Sequence, residues 1–141
     1  MKLTILFNLL FLLGLNQVMF SEPDCDLQTY KVTLTNNSSQ RWVSDTTFRE
    51  SNSTGCFEGK TSFYFYKNTS TGDVELCENK IWITKNTFRW EIVKDSEGNC
   101  ILKLDNEELH INFLLINSNM ILQLWKKNED NSIIVKEFYR D

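Results

Sequence analysis

One histidine, four cysteines and 19 carboxylates are the residues that could do chemistry, and each class can be weighed by its surroundings. His110 is the sole histidine, so a Ser or Cys nucleophile would depend on it for a general base. It lies near the start of a strand-like run, Leu109 to Ile116. Alternation turns it away from Leu109 and Ile111, onto the wetter face. Many of the carboxylates sit in turn-like contexts such as Asp105-Asn106-Glu107-Glu108, and nothing suggests a buried pair with separated pKa values. No nucleophile, phosphate-loop or metalloprotease motif is present. The reading is non-enzymatic, with no catalytic residue and no cofactor assigned.

The cysteines are Cys25, Cys56, Cys77 and Cys100, separated by 31, 21 and 23 positions. Zinc sites bring cysteines in close pairs, because one short turn must aim two thiolates at one ion, and no pair here has that spacing. No metal site is expected. An even count in an exported chain favours disulfides, and four cysteines allow three connectivities. Cys56 and Cys77 flank a hairpin over Thr61 to Val74, which brings them into one neighbourhood. A turn centred near Ser70 would set Cys77 opposite Tyr64, so the stretch from Cys56 to Lys60 must fold back to reach it. Closing a loop of this size contributes roughly 3 kcal/mol. Cys25 with Cys100 would then tie the N-terminal segment to a later strand.

These residues need a scaffold, and the chain's ends and composition bound it. Lys2 is followed by an apolar run, Leu3 to Leu15, which reads as an export leader over residues 1–21, cleaved near Phe20 and Ser21. The run is too short and interrupted for a comfortable membrane span, although an uncleaved anchor is the alternative. Cys25 follows Glu22-Pro23-Asp24, with no small-residue lipobox, so no lipid anchor is assigned. Residues 22–141 form a single domain, large enough to bury one core. The leader contains Lys2; without it 14 basic residues face 19 acidic ones, a net charge of about −5. No basic run exists, which argues against nucleic acid and anionic membrane surfaces. A secreted or periplasmic location follows from the leader and the cysteines.

The domain reads as strands separated by Asn- and Ser-rich turns. Strand-like segments cover Tyr30 to Thr35, Arg41 to Val43 with Thr46 to Phe48, Thr61 to Lys67, and Val74 to Cys77. Ile81 to Thr84 and Thr87 to Val93 follow, then Cys100 to Leu104, Leu109 to Ile116, Met120 to Lys127 and Ile133 to Tyr139. The breaks between them are too brief for crossover helices. This spacing implies an all-β, antiparallel up-and-down meander, able to close into an eight-stranded barrel.

The aromatics lie within these strands. Phe63, Phe65, Phe88, Trp90 and Phe113 are the candidate cavity lining. Their alternatives are plain core packing, which large rings supply, or a calyx for a small apolar molecule. Which of the pairs Phe63/Phe65 and Tyr64/Tyr66 looks inward is open from sequence. Asn36, Asn37, Asn52 and Asn68 each head an N-x-S/T sequon, a glycan acceptor only in a eukaryotic secretory pathway.

The order of these features resembles the lipocalin-like domain proteins exported by Bacteroidetes-type bacteria. The similarity rests on Gln40-Arg41-Trp42-Val43 at the opening and on Cys56 and Cys77 bracketing Phe63-Tyr64-Phe65. It continues through Arg89-Trp90-Glu91-Ile92, Leu102-Lys103-Leu104, Ile111-Asn112-Phe113-Leu114 and Met120-Ile121-Leu122. The resemblance supports pairing Cys56 with Cys77. It implies a calyx-like barrel that binds a small apolar ligand. The alternative is a secreted, glycosylated β-domain acting through protein–protein contacts.

Overall fold

The computed structural model describes residues 25–44 and 55–141. The leader at 1–21, the strand expected at Thr46 to Phe48 and the sequon at Asn52 lie outside the described residues. Within them the Asn- and Ser-rich breaks are where the chain reverses. Asn79 and Lys80 have φ of 55° and 62°, and Asn117 and Ser118 have 48° and 64°. Two consecutive residues of positive φ make the turn whose twist matches that of paired strands, and Asn tolerates that conformation well.

The strands so connected are β1 (Ser39–Val43), β2 (Thr61–Tyr66), β3 (Thr71–Glu78), β4 (Ile81–Lys94), β5 (Cys100–Leu104), β6 (Glu107–Ile116), β7 (Asn119–Lys127) and β8 (Ile133–Arg140). Each pairs antiparallel with the next, and β8 returns to β1 through Trp42 opposite Arg140 and Val43 opposite Tyr139. The all-β class, the meander and the closed ring of eight strands are as the sequence implies.

Several boundaries differ from expectation. Tyr30 to Thr35 is not a strand but the greater part of a helix, α1 (Leu27–Thr35). Asp26 caps it, accepting from the Gln28 amide at 3.1 Å and from the Thr29 hydroxyl at 2.6 Å. Asn36, at φ 47°, ends it by donating its amide to the Val32 carbonyl. Tyr30 and Leu34, four apart, share one helix face. Tyr30 lies 5.3 Å from the Phe113 ring, and Leu34 is fully buried. The runs expected around Ile81 to Thr84 and Thr87 to Val93 are one strand of 14 residues, with an irregularity in its pairing at Val74/Glu75. The first part of β4 pairs with β3 and the last five residues with β5, a stagger that ring closure requires. The turn at Asp105 is shorter than expected, so Glu107 and Glu108 already belong to β6.

Disulfides join Cys25 to Cys100 and Cys56 to Cys77, with Cα separations of 5.2 and 5.8 Å. The hairpin register differs from the one expected: Thr61 lies opposite Leu76, so Cys77 stands beyond Thr61 rather than opposite Tyr64. Cys56 does arrive by a fold-back, closed by the Lys60 amide donating to the Phe57 carbonyl at 3.1 Å.

Alternation along the paired strands puts Trp42, Phe65, Phe88, Trp90, Leu122 and Phe138 in one buried cluster inside the ring. Helix α1 closes one end. It is held there by the Cys25–Cys100 bridge, by Trp42 Nε1 donating to the Leu34 carbonyl at 2.8 Å and by Arg140 Nη2 donating to the Thr33 carbonyl at 3.1 Å. The other end, where β1, β3, β5 and β7 finish, is the mouth.

Candidate functional site

Phe63 and Phe65 face inward and Tyr64 and Tyr66 outward, which answers the question left by the alternation. Phe65 stands opposite Gly72, which stands opposite Phe88. The Phe65 ring centre lies 5.4 Å from Phe88 and 6.0 Å from Trp90, and Phe63 lies 5.8 Å from Phe88 and 5.1 Å from Phe138. Gly72 is what lets the Phe88 ring lie flat against β3, since a Cβ there would stand 2.4 Å from Phe88 Cζ. Phe113 packs on Trp42 at 5.8 Å and on Tyr30. The five expected lining residues therefore touch one another or their neighbours. At their level the barrel is filled by its own rings, mostly in the edge-on arrangements aromatic pairs prefer. Trp42, which the expected set omitted, is fully buried among them. Trp90 Nε1 is satisfied by the Tyr66 and Thr71 carbonyls, at 3.2 and 2.9 Å.

Above this floor the inward rows continue toward the mouth. The rows run from Phe63 to Val74, from Thr61 to Leu76 and Ile83, and from Leu102 through Leu109. On β7 and β8 they continue as Lys126 opposite Ile134 and Leu124 opposite Lys136. Phe63, Leu76, Leu104 and Leu109 are half-buried, while Ile83 and Ile134 are 38 % and 44 % exposed. Where the inner surface opens to solvent it thus carries exposed apolar side chains, Ile83 and Ile134, beside the charged Lys126 and Lys136. This lip was missed in the sequence because Ile83 and Ile134 read as ordinary strand residues. Only the register, with the shift between Val74 and Glu75, assigns them to the inner face.

The outer wall is built differently. Arg41 Nε and Nη2 donate to Glu75 at 2.7 and 3.2 Å, and the Ser62 hydroxyl donates to Glu75 Oε2 at 2.6 Å. The guanidinium carbon lies 4.8 Å from the Tyr64 ring centre and 5.4 Å from that of Trp82. Burial works against the Arg41 charge, but the hydrogen bonds and charge of Glu75 outweigh it and hold the pKa above its ordinary value. Tyr66 donates to Asp73 at 2.9 Å; burial first, and then that bond, push its phenol up to about 12. His110 stacks flat on Trp125, with ring centres 3.8 Å apart, on the same outer face. It is a strand residue turned away from Leu109 and Ile111, as the alternation implies, and its partner is an aromatic ring.

Among the described residues no group of three or more His, Cys, Asp or Glu side chains is placed to hold a metal ion. No described helix is long and apolar enough to cross a membrane. An open cleft of about 1040 Å³ lies outside the barrel, between Lys31, Thr69, Arg89, Lys103 and Asp105, and is polar. The sequon residues Asn36, Asn37 and Asn68 are all exposed in turns at the helix-closed end, where Asn37 Oδ1 accepts from Lys67 Nζ at 2.5 Å. The chain matches no protein-family model, no curated protein and no solved structure.

Proposed function

We propose that the protein is an exported, non-enzymatic barrel of lipocalin-like kind that binds a small apolar molecule at the mouth rather than deep in the ring. The observation that supports this is the apolar lip: Ile83 and Ile134 lie on inward rows yet remain exposed, above a floor of packed rings. A ligand seated there covers apolar surface without displacing Phe65 or Phe88, whose burial the fold depends on. The leader and the two disulfides support an oxidising, secreted or periplasmic location.

Titration with the neutral fluorophore N-phenylnaphthylamine tests the reading. Saturable binding by the mature protein, lost in an Ile83→Asp/Ile134→Asp double variant of unchanged circular dichroism, supports it. No binding, or binding unchanged by those substitutions, refutes it.

A second reading rests on the outer wall. Tyr64, Trp82 and Arg41 are the residue types that dominate protein interfaces, and here they stack into one rigid patch. On that reading the protein acts through protein–protein contacts, with glycans at Asn36 or Asn37 and at Asn68 directed away from the mouth. Intact mass of the native protein reports whether the glycans exist.

A further inference from the structure

Resting on the proposed mouth site, we infer that its ligand is a single-chain anionic amphiphile, a long-chain carboxylate or a compound of that charge and shape, with Lys136 as the anchor for its head group. Among the described residues the inward rows at the mouth carry four charged residues, Glu78, Glu107, Lys126 and Lys136. Glu107 holds Lys126 at 2.9 Å and Glu78 holds Lys85 at 2.5 Å. Lys136 has no ion-pair partner among the described residues. It stands directly opposite Leu124 in the register, one inward position from Ile134 and one from the buried Phe138. Lys136 is exposed, and from this position its aliphatic stem can lie along apolar surface while its ammonium reaches water, as long cationic side chains dispose themselves.

The chemistry that fits is specific in two ways. A chain lying between Ile83 and Ile134 is covered by apolar surface, and a carboxylate at its end meets Lys136, an inward cation at the mouth with no carboxylate partner among the described residues. The protein is acidic overall, with a formal charge of −4. Attraction of an anion must therefore come from this local arrangement rather than from the field of the whole molecule.

The test is a set of competition titrations against bound N-phenylnaphthylamine with dodecanoate, dodecanol and dodecyltrimethylammonium, all below their micelle concentrations. The expected order is dodecanoate tightest and the cation weakest, with dodecanoate favoured over dodecanol by roughly two- to fivefold, the range of a partly exposed ion pair. Lys136→Gln removes that preference and leaves dodecanol binding unchanged, while Lys136→Glu reverses the order of the two charged ligands. Dodecanol and dodecanoate binding equally to the wild type, or a preference that survives Lys136→Gln, overturns the anchor while leaving the apolar site intact. If none of the three competes, the mouth reading fails with it. Co-sedimentation with anionic phosphatidylglycerol vesicles, abolished by Lys136→Gln, would replace a free amphiphile with a membrane surface and overturn the inference.

Discussion

The indole of Trp42 donates to the carbonyl of Leu34 at 2.8 Å, with both side chains fully buried. Together with the Cys25–Cys100 bridge and the Arg140–Thr33 bond, this bond holds the closing helix in place, so that one end of the barrel is sealed by α1 and the other is open. Trp42→Phe keeps most of the ring but leaves the Leu34 carbonyl without its donor. The expected destabilisation is about 1–3 kcal/mol, read as a lower denaturation midpoint with an unchanged slope.

The core and the lip should respond oppositely to truncation. Phe65 is fully buried between Phe63, Phe88 and Trp90, so Phe65→Ala should cost about 3–5 kcal/mol in equilibrium unfolding. Ile134→Ser at the exposed lip should change stability by no more than about 0.5 kcal/mol while weakening apolar binding. Equal losses of stability at both positions would mean that the lip belongs to the core.

The two disulfides enclose loops of different length, with sequence separations of 21 and 75. In the chain-entropy account the first contributes roughly 3 kcal/mol and the second more, because its loop is longer. Cys25→Ser/Cys100→Ser should also loosen α1, seen as faster amide exchange over Leu27 to Thr35. Cys56→Ser/Cys77→Ser should leave those amides protected.

Tyr66 sets an alkaline limit. Its phenol is pushed up to about 12 in the fold, by burial first and then by Asp73, against an ordinary value of 10. A group whose folded pKa is raised stabilises fully below its unfolded pKa, and that contribution fades as pH rises from about 10 through about 12. Phenolate absorbance should therefore show Tyr66 titrating late, alongside Tyr30, which burial also raises, and Asp73→Asn should bring Tyr66 alone earlier. A titration unaltered by that substitution would separate Tyr66 from Asp73.

The strands were legible because each alternates with period two and is bounded by residues that accept positive φ. Asn79-Lys80 and Asn117-Ser118 sit at the hairpin tips for that reason. Helix α1 was illegible because Tyr30, Val32 and Leu34 alternate with Lys31, Thr33 and Thr35 as a strand would. It is a nine-residue helix, too short to hold by propensity alone. It depends on the Asp26 cap, the Cys25 bridge and the burial of Leu34, all of them tertiary or positional facts. The five aromatics expected to line a cavity could be found by type, but not whether space remained between them. The lip at Ile83 and Ile134 needed the full strand register, including the irregularity at Val74/Glu75, which no local pattern in the sequence carries.

The most direct test of the mouth site is residue-resolved: amide and methyl NMR shifts of the mature protein during titration with N-phenylnaphthylamine. The account predicts saturable shifts confined to the inward rows at the mouth, at Phe63, Leu76, Ile83, Leu109 and Ile134, with the Tyr64, Tyr66 and Trp82 wall unmoved. Shifts centred on that outer wall, or none at saturating probe, would contradict it.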